Sequence, residues 1–404
     1  MGFQQGLSGL NASSKNLDVI GHNIANTSTV GFKAGVAQFA DVYATSLYGS
    51  GGLNIGIGTK VADVAQQFSQ GNVSVTSNPL DIAISGEGFF RMSQDGVITY
   101  TRNGQFNLDK DGYIINAATQ RLTGFVADAT GSIVGGTPAE IQISLAPSPP
   151  RATTEAVMIG NLDSQKPALT GAINPLDPTS FTSSTSLTVY DEAGNDHGLV
   201  LYFQKTGPNA WNVDTYVNGT QVGTTQAMTF NPDGTLLSPA APTSITIPAA
   251  TLNTGAGDLT FNLDMGGFTQ FGSTFGVSYV SQDGFASGRI AGLSVDREGV
   301  IQGRYTNGQT RTLGQVVLYS FLNPRGLQPI GNNQWFETSE SGQPTAGAPG
   351  SGVLGYVQSG AVEESNVDLT AELVNLIVAQ RMYQANAQTI RAQDQILQTL
   401  VNLR

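Results

Sequence analysis

The 404 residues contain no cysteine, so disulfides, zinc–thiolate sites and thiol nucleophiles are excluded. Charged side chains make up only 12% of the chain, about half their usual share in a soluble domain. The surface must therefore be built largely from Ser, Thr, Asn, Gln and Gly, which can touch neighbours without desolvating many charges. Basic residues are the scarcer sign. The net charge of −12 argues against nucleic acid, whose phosphates need clustered Lys and Arg, and equally against an anionic membrane surface. No stretch approaches the roughly 20 apolar residues of a membrane span, so no membrane insertion is expected. The front end, MGFQQGLSGL, lacks a basic segment followed by an apolar core, and no cleaved signal peptide is expected.

What the chain does have is apolar periodicity at its two ends. Phe3, Leu10, Leu17 and Ile24 recur every seven residues, with Leu7 between the first two. At the back, Leu369, Leu376, Tyr383, Ile390 and Leu397 recur at the same interval, with Leu373, Ala387 and Val401 four residues after three of them. Such spacing lines one face of a helix, and a narrow stripe seeks another helix more than a broad core. Polar members (Ser14, Gly21, Gln380, Asp394) interrupt the stripes, which favours packing between chains. The pattern predicts a mixed, multidomain fold in which N- and C-terminal α-helices form a coiled-coil-like assembly domain and two mainly-β domains are inserted between them.

The predicted N-terminal helix runs from about Gln4 to Ile24 and stops in His22-Asn23-Ile24-Ala25-Asn26-Thr27, where side chains compete for backbone hydrogen bonds. Residues 1–30 and 362–404 form the helical assembly domain. Residues 31–71 read as an extended connector, Gly-rich at residues 49–58, whose Phe32, Phe39, Tyr43 and Tyr48 pack against something. Residues 72–145 and 284–361 form an inner β domain, with a hairpin signal around Gly112 and a strand at Gln315-Val316-Val317-Leu318-Tyr319. Residues 146–283 form an outer β domain, a meander through Leu187-Thr188-Val189-Tyr190, a turn at Asp191 to Asp196, Leu199 to Phe203 and Trp211-Asn212-Val213. Asp368 is the expected N-cap of the last helix.

Signals for chemistry are weak. His22 and His197 sit in no metal or triad spacing, and surface or cap roles are expected for both. No G-x-S-x-G elbow occurs. The run GGLNIGIGTK has the wrong Gly spacing for a phosphate loop. Asn107, Asp109, Asp111 and Gly112 match half of a calcium loop, but Ala118 stands where the bidentate Glu belongs, so a hairpin turn is expected. No catalytic, cofactor-binding or metal residues are assigned, no cofactor is expected, and the chain is not read as an enzyme. The residues read as functional are those of assembly: Phe3, Leu7, Leu10, Leu17, Ile24, Leu369, Leu373, Leu376, Tyr383, Ile390 and Leu397.

Longer motifs carry a resemblance. Gly9-Leu10-Asn11-Ala12, Asn16 through Asn26 and Val30-Gly31-Phe32-Lys33 resemble the front end of bacterial flagellar rod and hook proteins. Ser365-Asn366-Val367-Asp368-Leu369 and Ile377 through Ala387 resemble the matching back end. Asn78 through Ile84, Gly88-Phe89-Phe90 and Tyr100 through Gly104 are similar to the inner β domain of the distal rod and hook. The segments Val189-Tyr190-Asp191 and Trp211-Asn212-Val213 resemble the outer domain that hook proteins alone carry.

The resemblance implies a hook subunit that polymerises into a curved hollow tube, couples rod to filament and transmits torque as a universal joint. It implies self-association, contacts with rod and hook–filament junction proteins, a hook cap during assembly, and passage through the flagellar type III export apparatus. The implied location is the extracellular hook, reached without signal cleavage. Two alternatives stay open at this point: a distal rod subunit forming a straight tube, and a secreted carbohydrate-active enzyme, for which an acidic cleft would speak.

Overall fold

The computed structural model describes residues 2–42, 56–128 and 130–402, with the side chains of residue 2 and of residues 400–402 outside the description. Tyr43, Tyr48, the Gly-rich run up to residue 55 and the Val401 side chain lie outside the described residues. The chain is mostly β with a helix at each end, and it forms two compact units. The first comprises residues 1–145, 292–304 and 310–404, and the second residues 146–291 and 305–309.

In the first unit, helix α1 (Gly2–Ala25) ends where side chains take over the backbone's partners. Thr27 Oγ1 donates to the Ile24 carbonyl, Asn26 Nδ2 to that of His22, and Thr29 Oγ1 to Asn26 Oδ1. Strands β1 (Gly35–Val42) and β2 (Gly58–Gln66) then form an antiparallel hairpin, in place of a merely extended connector. The β body places Thr310–Val316, Arg121–Val126, Phe89–Gln94, Val97–Thr101, Gln334–Phe336 and Gln328–Gly331 side by side. Its aromatic core packs Phe89, Tyr100, Phe321 and Trp335 edge to face, with centroids 4.8–5.8 Å apart.

The apolar run 315–319 is not one strand. It breaks at Val317, because its first part pairs with Arg121–Val126 and Leu318–Ser320 pairs with Phe89–Gln94. Around Gly112, Asn107–Leu108 pairs with Ile114–Ile115, and Asp109 Oδ1 accepts the amides of Asp111 and Tyr113. That carboxylate oxygen serves the turn.

The second unit places two sheets around one core. One is an antiparallel meander of Ser183–Tyr190, Asp196–Gly207, Ala210–Val217, Thr220–Phe230 and Leu236–Ser238. In the other, Glu155–Asp163 pairs in parallel with Leu259–Asp264 and Thr269–Phe271, and antiparallel with Gly276–Gln282. A one-turn helix α2 (Ala249–Leu252) joins two of its strands. Inward residues alternate along the strands: His197, Leu199, Leu201 and Phe203 are buried on one, and Ile245 and Ile247 on another. The buried Trp211 Nε1 donates to Gln270 Oε1 at 2.7 Å, tying the sheets together.

His197 is not at the surface. It is buried, with Nε2 3.2 Å from Asp191 Oδ2. The reason is the buried Asp191 carboxylate, which also accepts the Asn195 amide, Asn195 Nδ2 and Thr254 Oγ1. A carboxylate so enclosed requires every donor within reach. Burial pushes the Asp191 carboxyl up, but hydrogen bonds from Asn195, Thr254 and His197 outweigh it and hold it well below the usual carboxylate range.

A depressed folded-state pKa contributes stability above the unfolded value, near about 4, and loses it as pH falls toward the folded value. The second unit should therefore weaken on acidification below that value. Asp191→Asn should flatten this dependence while costing stability at neutral pH. Fluorescence of Trp211, isolated by Trp335→Phe, reads both effects; an unchanged acid slope in Asp191→Asn would contradict the assignment.

Candidate assembly interface

Helix α1 and the long helix α3 (Leu369–Asn402) run antiparallel, with Gly6 against Ile390 at one end and Asn23 hydrogen-bonded to Glu372 at the other. Asp368 caps α3 as expected, accepting the amides of Thr370 and Ala371. The contact line is small and polar. A Cβ added at Gly6 would lie 3.0 Å from Ile390 Cγ1, and one at Gly9 would lie 2.9 Å from the Asn386 amide group. Asn386 Nδ2 also donates to Ser13 Oγ. Glycines, weak helix formers, are present because the backbones approach closely here.

A second side of α1 holds the hairpin. Gln5 Nε2 donates to the Gly56 carbonyl, Ser8 Oγ accepts the Thr59 amide, and Asn23 grips Gly35 through both its N–H and its C=O.

The heptad stripes take neither of these sides. With about 100° per residue, Leu369 lies about 80° from the α3 contact line through the buried Ala379, Leu376 about 60°, Tyr383 about 40° and Ile390 about 20°. A seven-residue repeat on a straight helix drifts about 20° per heptad. Ile390 has thus converged on the contact with its own chain's Gly6, while Leu369, Leu373 and Tyr383 stay exposed. Leu397 lies on the contact line but past the start of α1, and it is exposed as well. On α1, Phe3 and Leu7 are exposed, and Leu10, Leu17 and Ile24 are half-buried, as is Leu376 on α3. Because the helices are antiparallel and both stripes rotate the same way off the contact line, both fall on one side of the pair. That side faces away from β1–β2.

The roots of the helices are fixed by residues that the periodicity could not reveal. Lys33, eight residues after α1, places Nζ 2.6 Å from Glu363 Oε1, and Arg102 of the β body places Nη1 3.3 Å from Glu363 Oε2. Lys33 and Glu363 are fully buried, and Arg102 nearly so. Lys33 also donates to the Ser69 carbonyl, and the Gly71 amide donates to Glu363. Burial pushes both cations down in pKa, and Glu363 partly offsets it. Asn366 completes the joint: its Oδ1 accepts the Ala34 amide, and its Nδ2 donates to the Gln67 carbonyl. Lys33 and Asn366 fall within the end motifs, and Arg102 within that of the inner β domain. Among the described residues, no group of three His, Asp or Glu side chains is placed to hold a metal ion. No described helix is long and apolar enough to cross a membrane.

Family models match in four stretches. Residues 3–33 match the flagella basal body rod protein model, and residues 83–161 the flagellar hook protein FlgE/F/G D1 domain. Residues 161–285 match the flagellar basal body protein FlaE D2 domain, and residues 358–403 the flagellar basal body rod FlgEFG protein C-terminal model. The flagellar hook protein FlgE of Escherichia coli K12 is 41% identical over the full length of both chains. This chain belongs to the flagellar hook protein family. The Salmonella typhimurium FlgE is 42% identical, again over both full lengths. The crystal structure of Helicobacter pylori flagellar hook protein FlgE2 shares the fold, with a TM-score of 0.50 at 15% identity, covering 72% of this chain and all of that one. As a flagellar hook protein the chain is structural and not an enzyme.

Removing Glu363 would leave two buried cations facing each other, and breaking such a cluster costs about 3–5 kcal/mol. Glu363→Ala should move the denaturant transition of Trp335, followed in a Trp211→Phe background, to lower concentration. The Trp211 transition, followed with Trp335→Phe, should stay in place. Equal shifts of both would contradict a role confined to the first unit.

Proposed function

We propose that this hook protein polymerises into a curved hollow tube through the stripe side of the α1–α3 pair, coupling rod to filament and transmitting torque as a universal joint. The observation that carries this reading is the exposure of Phe3, Leu7, Leu369, Leu373, Tyr383 and Leu397 in the isolated chain. Leaving this many apolar side chains in water, at roughly 25 cal/mol per Å², favours covering them with neighbouring subunits. A side that differs from the surface it meets gives a heterologous contact, which generates an open helical polymer. The terminal helices, residues 1–30 and 362–404, form the coiled-coil-like assembly domain on this reading, and residues 31–71 connect it to the rest. An inner β domain (72–145 and 284–361) and an outer one (146–283) lie between them.

Bending on each turn of the motor requires outer contacts that slide cheaply. Ser184, Ser186 and Thr188, with Thr220, Gln221, Thr224 and Thr225, are exposed and uncharged, so no ion pair must break as they move. The partners on this reading are other copies of the chain, rod and junction proteins, the hook cap and the type III export apparatus. Export leaves the N-terminus uncleaved and places the hook outside the cell. Lack of cysteine suits passage in an unfolded state.

Leu373→Asp should suppress polymerisation at concentrations where the parent assembles, because the charge would be buried unpaired at every subunit. The thermal unfolding of the monomer should be unchanged, since Leu373 is exposed there. Ile390→Asp differs: it also strikes the contact with Gly6, so it should loosen the monomer's own helix pair. Sedimentation and electron microscopy of the Leu373→Asp chain decide the matter. Normal tubes would remove the stripe side from the account.

A further inference from the structure

On the opposite side of the helix pair, β1 and α3 enclose a groove of about 290 Å³, lined by Ile20, Val36, Phe39, Val378 and Met382. Glu372 stands at one end. Its Oε1 accepts Asn23 Nδ2 at 3.2 Å, while Oε2 is buried and has no hydrogen-bond partner. A carboxylate oxygen enclosed without a donor is costly, so the groove is incomplete in the isolated chain. It lacks an apolar ridge carrying a cation.

The same helix presents such a ridge. Val374, Ile377 and Arg381 are exposed and lie about 140–160° around α3 from the contact line, on the face turned away from α1. Arg381 has no ion pair or hydrogen bond among the described residues. Ridge and groove match in polarity and in order, two aliphatic side chains followed by a guanidinium against an apolar trough ending in a carboxylate. Both belong to every copy of the chain, and they lie on different faces.

We infer that the Val374–Ile377–Arg381 ridge of one copy docks in the β1–α3 groove of a second copy, with Arg381 supplying the donor that Glu372 Oε2 lacks. The contact is heterologous and repeats without closing, as a tube requires. It rests on the assembly reading above and adds a second, charge-specified contact to the stripe side. A guanidinium meeting a carboxylate also fixes register, which sliding apolar surfaces alone do not.

The absence of cysteine makes a direct test possible. Met382 in the groove and Ile377 on the ridge are about 140° apart on one helix, so cysteines placed at these positions can be joined only between chains. Full-length protein carrying Met382→Cys and Ile377→Cys, assembled and then oxidised, should give a ladder of covalent oligomers on a non-reducing gel. A mixture of the two single variants should give dimers. In parallel, Glu372→Gln, which keeps the Asn23 contact, and Arg381→Gln should each raise the concentration needed for assembly about tenfold. The double charge exchange Glu372→Arg with Arg381→Glu should recover much of that loss. Tubes that form without the ladder, or neutralised variants that assemble like the parent, overturn this contact alone. A parent chain that forms no tubes at all overturns the assembly reading and this contact with it.

Discussion

Everything at the inner end of the molecule depends on the buried cluster of Lys33, Glu363 and Arg102. It joins the segment leaving α1, the segment entering α3 and the β body, which are separated in sequence by up to 330 residues. Two cations share one carboxylate away from water, so the cluster is a poor source of net stability. Arg102 Nε even lacks a partner, although its guanidinium lies over the Phe89 ring at 5.3 Å. What the cluster supplies is position. The Ala361–Glu363 strand is held in register with Val73–Val75, and the Gly31 amide donates to the Glu363 carbonyl. The helices therefore leave the body from one defined point.

From that point outward the helix pair divides its surface by chemistry. Small and polar residues, Gly6, Gly9, Ser13 and Asn386, face the partner helix. Amides and hydroxyls of Gln5, Ser8 and Asn23 face the hairpin. The leucines are left over. In a monomer this would be a poor use of apolar area, because burial of the large side chains is what stabilises a helix hairpin in water. In a polymer the same division is economical, since the within-chain contact needs only to align the helices and the between-chain contacts bury the leucines.

Much of this was legible in the sequence. The seven-residue recurrence located both helices, Asp368 marked the start of α3, and Asn26 and Thr27 marked the end of α1. The alternation from Leu187 to Phe203 marked the meander of the second unit. The orientation of the stripes was not legible, because a heptad repeat fixes a face of one helix but not which neighbour it meets. Gly6 and Gly9, weak formers in isolation, carry the contact that decides it. The buried cluster was hidden for a different reason: a charge pattern reports partners a turn away, not partners hundreds of residues distant. His197 was misread because its burial follows from Asp191, whose need for donors shows only in three dimensions.

The central claim is that the stripe side of the α1–α3 pair is covered by other copies of the chain. A helical reconstruction of the assembled tube by electron microscopy tests it most directly. The account predicts that Leu7, Leu10, Leu373 and Tyr383 are buried against neighbouring subunits, with the Gly6–Ile390 contact kept within each chain. A tube in which those four side chains face the channel or the solvent would contradict it.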